Sequence, residues 1–140
     1  MKRITFIYLL AVVLAMHACI DREMIDRKEG DSLPTVNNLS VQQDGATVRL
    51  TWEIPVNIPE SIEQPVSIYI DVQEILGPTR TTSVFNTTLA NAPTEFVYEV
   101  PEENKTYHLT VKLFGQTKER DPNYSSSIYS LGQTVVYQSP

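Results

Sequence analysis

The sequence predicts an all-β fold, an antiparallel sandwich of two sheets. Three observations carry that expectation. From Pro34 onward apolar residues recur with a period of two, the spacing of a strand with one buried face. The alternating runs are short and are separated by Pro, Gly and Asn, the residues of tight turns. No window of a dozen residues after Pro34 has the 3.6-residue period of an amphipathic helix.

Asn38 to Gln42 forms a plausible first strand. In the second, Val48, Leu50 and Trp52 alternate with Thr47, Arg49 and Thr51. Ile68, Ile70 and Val72 alternate with Tyr69, Asp71 and Gln73 in a third, and Phe96, Tyr98 and Val100 with Val97 and Glu99 in a fourth. Tyr107, Leu109 and Val111 then alternate with His108, Thr110 and Lys112, and Gln133 to Tyr137 is a plausible last strand. The expected core is therefore Val48, Leu50, Trp52, Ile68, Ile70, Tyr107, Leu109 and Val111. Glu53 to Pro65, Leu76 to Thr94 and Phe114 to Ser127 are left as long loops.

The order Pro34-x-x-x-Asn38-Leu39-Ser40-Val41, Val48-x-Leu50-x-Trp52 and Tyr107-x-Leu109-x-Val111 resembles a fibronectin type III domain, an immunoglobulin-like sandwich, across residues 34 to 138. The resemblance implies that Trp52 is the centre of the core. It also implies that Tyr107 opens the sixth strand and makes a tyrosine-corner hydrogen bond. Val100-Pro101 resembles the Leu-x-Pro that precedes that corner, although the loop up to Tyr107 is about one residue longer than usual and lacks the usual glycine.

The first 18 residues read differently. Lys2 and Arg3 precede an almost uninterrupted apolar stretch from Ile4 to Ala15, and Met16-His17-Ala18 leads to Cys19, the single cysteine. About a dozen apolar residues cannot cross ~30 Å of hydrocarbon, so the segment is expected to be a secretion signal rather than a span. It resembles a bacterial lipoprotein signal, with Met16 where that family favours Leu. The resemblance implies cleavage before Cys19 and lipid, palmitate included, on its thiol. An ordinary cleaved signal with an incidental cysteine is the alternative.

Residues 19 to 33, rich in mixed charge and ending before Pro34, are expected to be a flexible tether. As coil the tether would reach roughly 20–25 Å. Asp21 and Glu23 resemble the acidic export signal of Bacteroides-type surface lipoproteins, while Ile20 and Arg22 depart from it. The implied address is the outer membrane on its cell-surface side, with the periplasmic face as the alternative. Asp31-Ser32-Leu33 resembles the O-glycosylation acceptor of that group and makes Ser32 a candidate acceptor.

The chain carries a formal charge of −6 over 140 residues, and losing Lys2 and Arg3 with the signal moves it to about −8. That balance disfavours nucleic acid as a partner. No basic apolar helix is present for an anionic membrane surface, so attachment would come from lipid on Cys19. The length suits one domain.

The residues of common active sites are missing. Once His17 leaves with the signal, His108 is the single histidine and is expected to point outward. One histidine and no free thiol make a zinc site improbable. No phosphate-cradling glycine loop and no nucleophile elbow occur. Glu102 and Glu103 are neighbours in a turn, a poor arrangement for paired-carboxylate catalysis. Glu60 and Glu63 match no calcium-loop spacing. The expectation is a protein with no enzyme activity and no cofactor.

Two functional readings remain. The first is a lipid-anchored interaction module that docks against an envelope protein, by analogy one such as a TonB-dependent nutrient importer. The second is a direct binder of glycan or peptide. The candidate recognition loop runs from Phe114 to Ser127, where Lys118, Arg120 and Tyr124 combine charge with an aromatic ring. Tyr69, Phe85, Phe114, Tyr124 and Tyr129 are the candidates for partly exposed rings.

Overall fold

The computed structural model describes residues 30, 32–45 and 47–140. Cys19, the expected signal and nearly all of the expected tether lie outside the described residues. Eight strands follow in chain order: β1 (Asn37–Asp44), β2 (Thr47–Glu53), β3 (Ser67–Gly77), β4 (Arg80–Leu89), β5 (Glu95–Glu99), β6 (Thr106–Gln116), β7 (Ser127–Tyr129) and β8 (Gln133–Gln138). Among the described residues there is no helix.

The strands form two antiparallel sheets. The smaller has the order β1-β2-β5, and the larger runs β4-β3-β6, with β7 and β8 pairing in turn along the far side of β6. The period-two pattern dictates which face is inward. Along β6, and along β3 as far as Glu74, every second residue is buried, which places Ile68, Ile70 and Val72 beside Tyr107, Leu109, Val111 and Leu113. Val48, Leu50 and Trp52 of β2 face them from the other sheet. All eight expected core residues are buried, and Trp52 is 3% exposed. Stacked Phe85 and Phe96, with ring centroids 6.0 Å apart, and Tyr98, 5.1 Å from Phe85, close one side of the core.

The strand register fixes two ends. The chain enters at the end that holds the Ile54 to Val66 loop, the close of β6 and β7. Leu33, the last residue of the expected tether, is buried there together with Val36 and Ile62. The loop is pinned. Ile62 bridges to Thr117, the Glu63 amide donates to the Gln116 carbonyl at 2.8 Å, and the Lys118 amide donates to the Ser61 carbonyl at 2.8 Å.

At the opposite end the Tyr107 hydroxyl donates to the Glu102 carbonyl at 3.3 Å, forming the corner bond that the sequence implied. Ser139 then ties the C-terminal segment to the same turn. Its hydroxyl accepts from the Lys105 amide at 3.1 Å and donates to the Glu102 carbonyl at 2.9 Å, and its own amide donates to the Lys105 carbonyl at 2.8 Å. Ser139→Ala would leave the Lys105 amide without that acceptor, at a cost of about 1–3 kcal/mol. The urea midpoint should fall with an unchanged m-value. An unchanged midpoint would show that the staple adds nothing.

Two of the expected loops are corrected. Leu76 to Thr94 is mostly strand, because Arg80–Leu89 pairs with β3 as the edge of the larger sheet. Phe114 to Ser127 is shorter than expected, because β6 runs on to Gln116 and β7 begins at Ser127. In β4 the register passes from Val72↔Phe85 to Gln73↔Ser83, which leaves Val84 as an extra residue. A bulge of this kind blunts an edge strand against unwanted pairing.

Candidate functional site

Among the described residues no group of three or more His, Cys, Asp and Glu is placed to hold a metal ion. Glu60 and Glu63 are exposed, as are Glu102 and Glu103. His108 faces outward between Gln73 and Val136 on the larger sheet. Glu74 is a buried carboxylate, held by the Lys105 ammonium at 2.7 Å. The hydrogen bond to Glu74 is the main cause that raises the Lys105 pKa, with the charge of Glu102 adding to it. Burial raises the Tyr98 and Tyr107 phenols, so both remain neutral structural groups. A shallow pocket of about 340 Å³ lies beside the tyrosine corner, lined by Val100, Glu102, Glu103 and Tyr137 among others. It gathers no reactive constellation.

The candidate loop residues Lys118, Arg120 and Tyr124 are exposed. Lys118 and Arg120 alternate with Glu119 and Asp121, which leaves the segment without a dominant charge. The loop is anchored at its base through the Thr117 amide to the Ser126 carbonyl at 2.9 Å and through Lys118 to Ser61. It is a tethered turn beside a more distinctive surface.

That surface is the outer face of the larger sheet. Register places Tyr69 of β3 opposite Thr88 of β4 and Lys112 of β6, with Phe114 between Ser67 and Tyr129 in the next row. The Phe114 and Tyr129 rings stand 4.7 Å apart, and Tyr69 meets Tyr129 edge-on at 5.7 Å. Tyr129 is 52% exposed and Phe114 and Tyr69 are half-buried. Aromatic pairs at these separations prefer such edge-on and offset arrangements.

Two residues build the margin of the patch. Ser130 occupies the break between β7 and β8. Its hydroxyl accepts from the Leu113 amide at 2.9 Å and its amide donates to the Leu113 carbonyl at 2.9 Å, so the interruption keeps its partners. Gly132 has φ of +85°. A Cβ there would stand 2.6 Å from Lys112 Cγ and 3.0 Å from the Val111 carbonyl oxygen, so only glycine lets the Lys112 stem lie across it. Between them Leu131 projects, 91% exposed.

The other half of the face is polar and internally bonded. Asp71 accepts from Gln73 Nε2 at 2.6 Å and from the Ser83 hydroxyl at 3.0 Å, and Thr81 donates to Gln73 Oε1 at 2.9 Å. The sequence reading named Tyr69, Phe114 and Tyr129 one by one but did not bring them together. Their phase was legible, because Phe114 shares parity with Lys112 and Tyr69 with Asp71. The pairing of β7 on β6 was not.

Comparison with known proteins places this geometry. A family model described as Domain of unknown function (DUF4945) matches residues 19–137. The chain belongs to that family. No curated protein matches it. Among solved structures, a myokine structure aligns with TM-score 0.52 at 15% identity, covering 78% of this chain and 99% of that one. The third fibronectin III domain of the human KIAA0343 protein aligns with TM-score 0.53 at 15% identity, covering 81% and 89%. A human fourth fibronectin III domain gives TM-score 0.50 at 14% identity, covering 83% and 87%. At these identities the likeness shows the fold, and this member of the family is a fibronectin III-like sandwich.

Proposed function

We propose that this chain is a lipid-anchored, non-catalytic interaction module of the bacterial cell envelope, which docks a partner protein through the outer face of its larger sheet. The observation that carries the reading is the cluster of Tyr69, Phe114 and Tyr129, left open on a sheet face that no other layer of the described residues covers. Tyrosine and phenylalanine are enriched in protein interfaces, where large rigid rings bury area at small entropic cost. Fibronectin III-like sandwiches typically serve as non-catalytic modules. The sequence up to Cys19 supports a lipoprotein anchor, Asp21 and Glu23 support the cell-surface side of the outer membrane, and analogy suggests an envelope importer of the TonB-dependent kind as the partner class.

The reading is tested in native envelopes. Cys19→Ala should leave a soluble or unprocessed product, and an unmodified thiol at residue 19 in mass spectrometry of the native protein would remove the anchor from the proposal. Tyr129→Ala combined with Phe114→Ala should abolish crosslinked recovery of the partner while the thermal midpoint stays close to that of the parent. Full recovery would remove this face from consideration. The polar network of Asp71, Gln73 and Ser83 beside the rings favours a second reading, direct glycan binding. Glycan binding that survives partner depletion and is lost in the same variant would select it.

A further inference from the structure

Lys112 makes no ion pair among the described residues, although the chain carries a formal charge of −6. Its setting separates it from the other cations. Arg49 pairs with Glu95 at 3.0 Å, and Lys105 pairs with Glu74. Arg80, Lys118 and Arg120 are exposed, Arg80 opening β4 and the other two in the 117–126 turn. Lys112 is half-buried in mid-strand, with its stem laid across Gly132 and Tyr69 opposite it on β3. The nearest row of the face to hold a carboxylate offers Asp71, whose two oxygens accept from Gln73 and Ser83 and which makes no ion pair with Lys112. Residues 122 to 140, which form the adjoining edge, contain no charged side chain. Lys112 therefore shares the outer face of the sheet with three rings, and its stem lies beside a leucine that is almost wholly exposed.

We propose that Lys112 selects the partner: the patch takes an extended protein segment that carries a carboxylate to Lys112 and an apolar side chain onto Tyr129 and Leu131. The inference rests on the docking reading above and names the chemistry of its occupant. Charge complementarity decides among occupants. A second copy set face to face would bring a second Lys112 to the patch and, from the strands of that face, no carboxylate but Asp71. An anionic bilayer would meet Glu53, Glu60, Glu63 and Glu95 at the same end of the sandwich. An acidic polysaccharide could satisfy the ammonium but would leave Leu131 unused. A carboxylate arriving at the Lys112 ammonium makes a charge-assisted hydrogen bond, stronger than a neutral one and weakened by salt.

The test uses the full lipidated protein in detergent, panned against a displayed library of random linear peptides. Enriched peptides should place Asp or Glu within a few residues of a large apolar side chain, and their affinity should fall as salt rises. Lys112→Glu should weaken them by about tenfold or more, Lys112→Arg should retain them, and Leu131→Asp should also cost about tenfold. All three variants should keep the parental thermal midpoint. If Lys112→Glu binds as the parent does while Tyr129→Ala abolishes binding, docking stands and the carboxylate pairing falls. If neither matters, both fall. No enrichment over the Tyr129→Ala control, self-association of the protein, or binding of acidic polysaccharide alone would each overturn the proposed occupant.

Discussion

Trp52→Ala should unfold the domain or leave it barely folded. Trp52 is 3% exposed and belongs, with Leu50 of its own strand and the inward residues of the larger sheet, to one buried cluster. Truncating a buried tryptophan costs about 3–5 kcal/mol, because the transfer term is lost and a cavity remains. That is a large share of the ~5–15 kcal/mol available to a domain of this size. The indole Nε1 is buried without a protein hydrogen-bond partner, so the contribution of the residue is packing. Trp52→Phe should accordingly lose much less than Trp52→Ala. Trp52 is the only tryptophan, so the parent can be followed by its own emission, blue-shifted when native and moving red on unfolding. The variants must be followed by circular dichroism. A loss below about 1 kcal/mol on Trp52→Ala, or strong acrylamide quenching of the native parent, would refute the central role of this side chain.

The strands that the period locates most plainly are the central ones, whose inward face is buried along most of its length. β2 and β6, and β3 as far as Glu74, alternate buried with less buried residues, so the period alone locates them and decides which side chains turn inward. β4 escaped for a physical reason. It is an edge strand whose first five residues are exposed on both faces, and Val84 breaks the phase just before the inward Phe85. Its threonine-rich run Thr81-Thr82-Ser83-Val84 has strand propensity but no amphipathic signature. β7 is three residues long, too short for a period to be read, and it exists because the close of β6 offers ladder partners that only the tertiary fold supplies.

The candidate site was legible by residue type and illegible by arrangement. Composition singled out the exposed rings, but whether three of them meet depends on register across β3, β6 and β7, which no local pattern encodes. The loop residues Lys118, Arg120 and Tyr124 drew attention because charge and an aromatic lie close in sequence, which is a weaker criterion than adjacency in space. Lys112 looked like one more outward lysine of an alternating strand. Its isolation becomes visible only when Asp71 is seen to be engaged and Gly132 to lie beneath its stem.

Gly115→Val should destabilise the domain, against the usual gain from replacing a flexible glycine inside a strand. Filling a strand glycine ordinarily recovers roughly 0.5–1 kcal/mol of backbone entropy. Here a Cβ would stand 2.6 Å from Ile62 Cγ2, with Leu33 Cδ1 at 3.4 Å and Val66 Cγ1 at 3.7 Å. The nearest atom belongs to a β-branched side chain with little rotamer freedom. Its backbone cannot retreat easily, because Ile62 donates to the Pro59 carbonyl at 3.1 Å, bridges Thr117 and precedes the Glu63 bond to Gln116. Overpacking of this kind costs about 1–3 kcal/mol, and the two further methyls of valine set the upper part of that range. Ile62→Ala alone should cost about 2–5 kcal/mol through its cavity. In the double variant the valine methyls enter the space that Ile62 vacates, so the combined loss should fall short of the sum by about 1 kcal/mol or more. Strict additivity would show that Gly115 is not kept small by Ile62. Because the side chain at residue 115 points inward while Phe114 and Tyr129 point outward, whatever folded fraction survives should still recover the partner, which separates loss of packing from loss of the docking face.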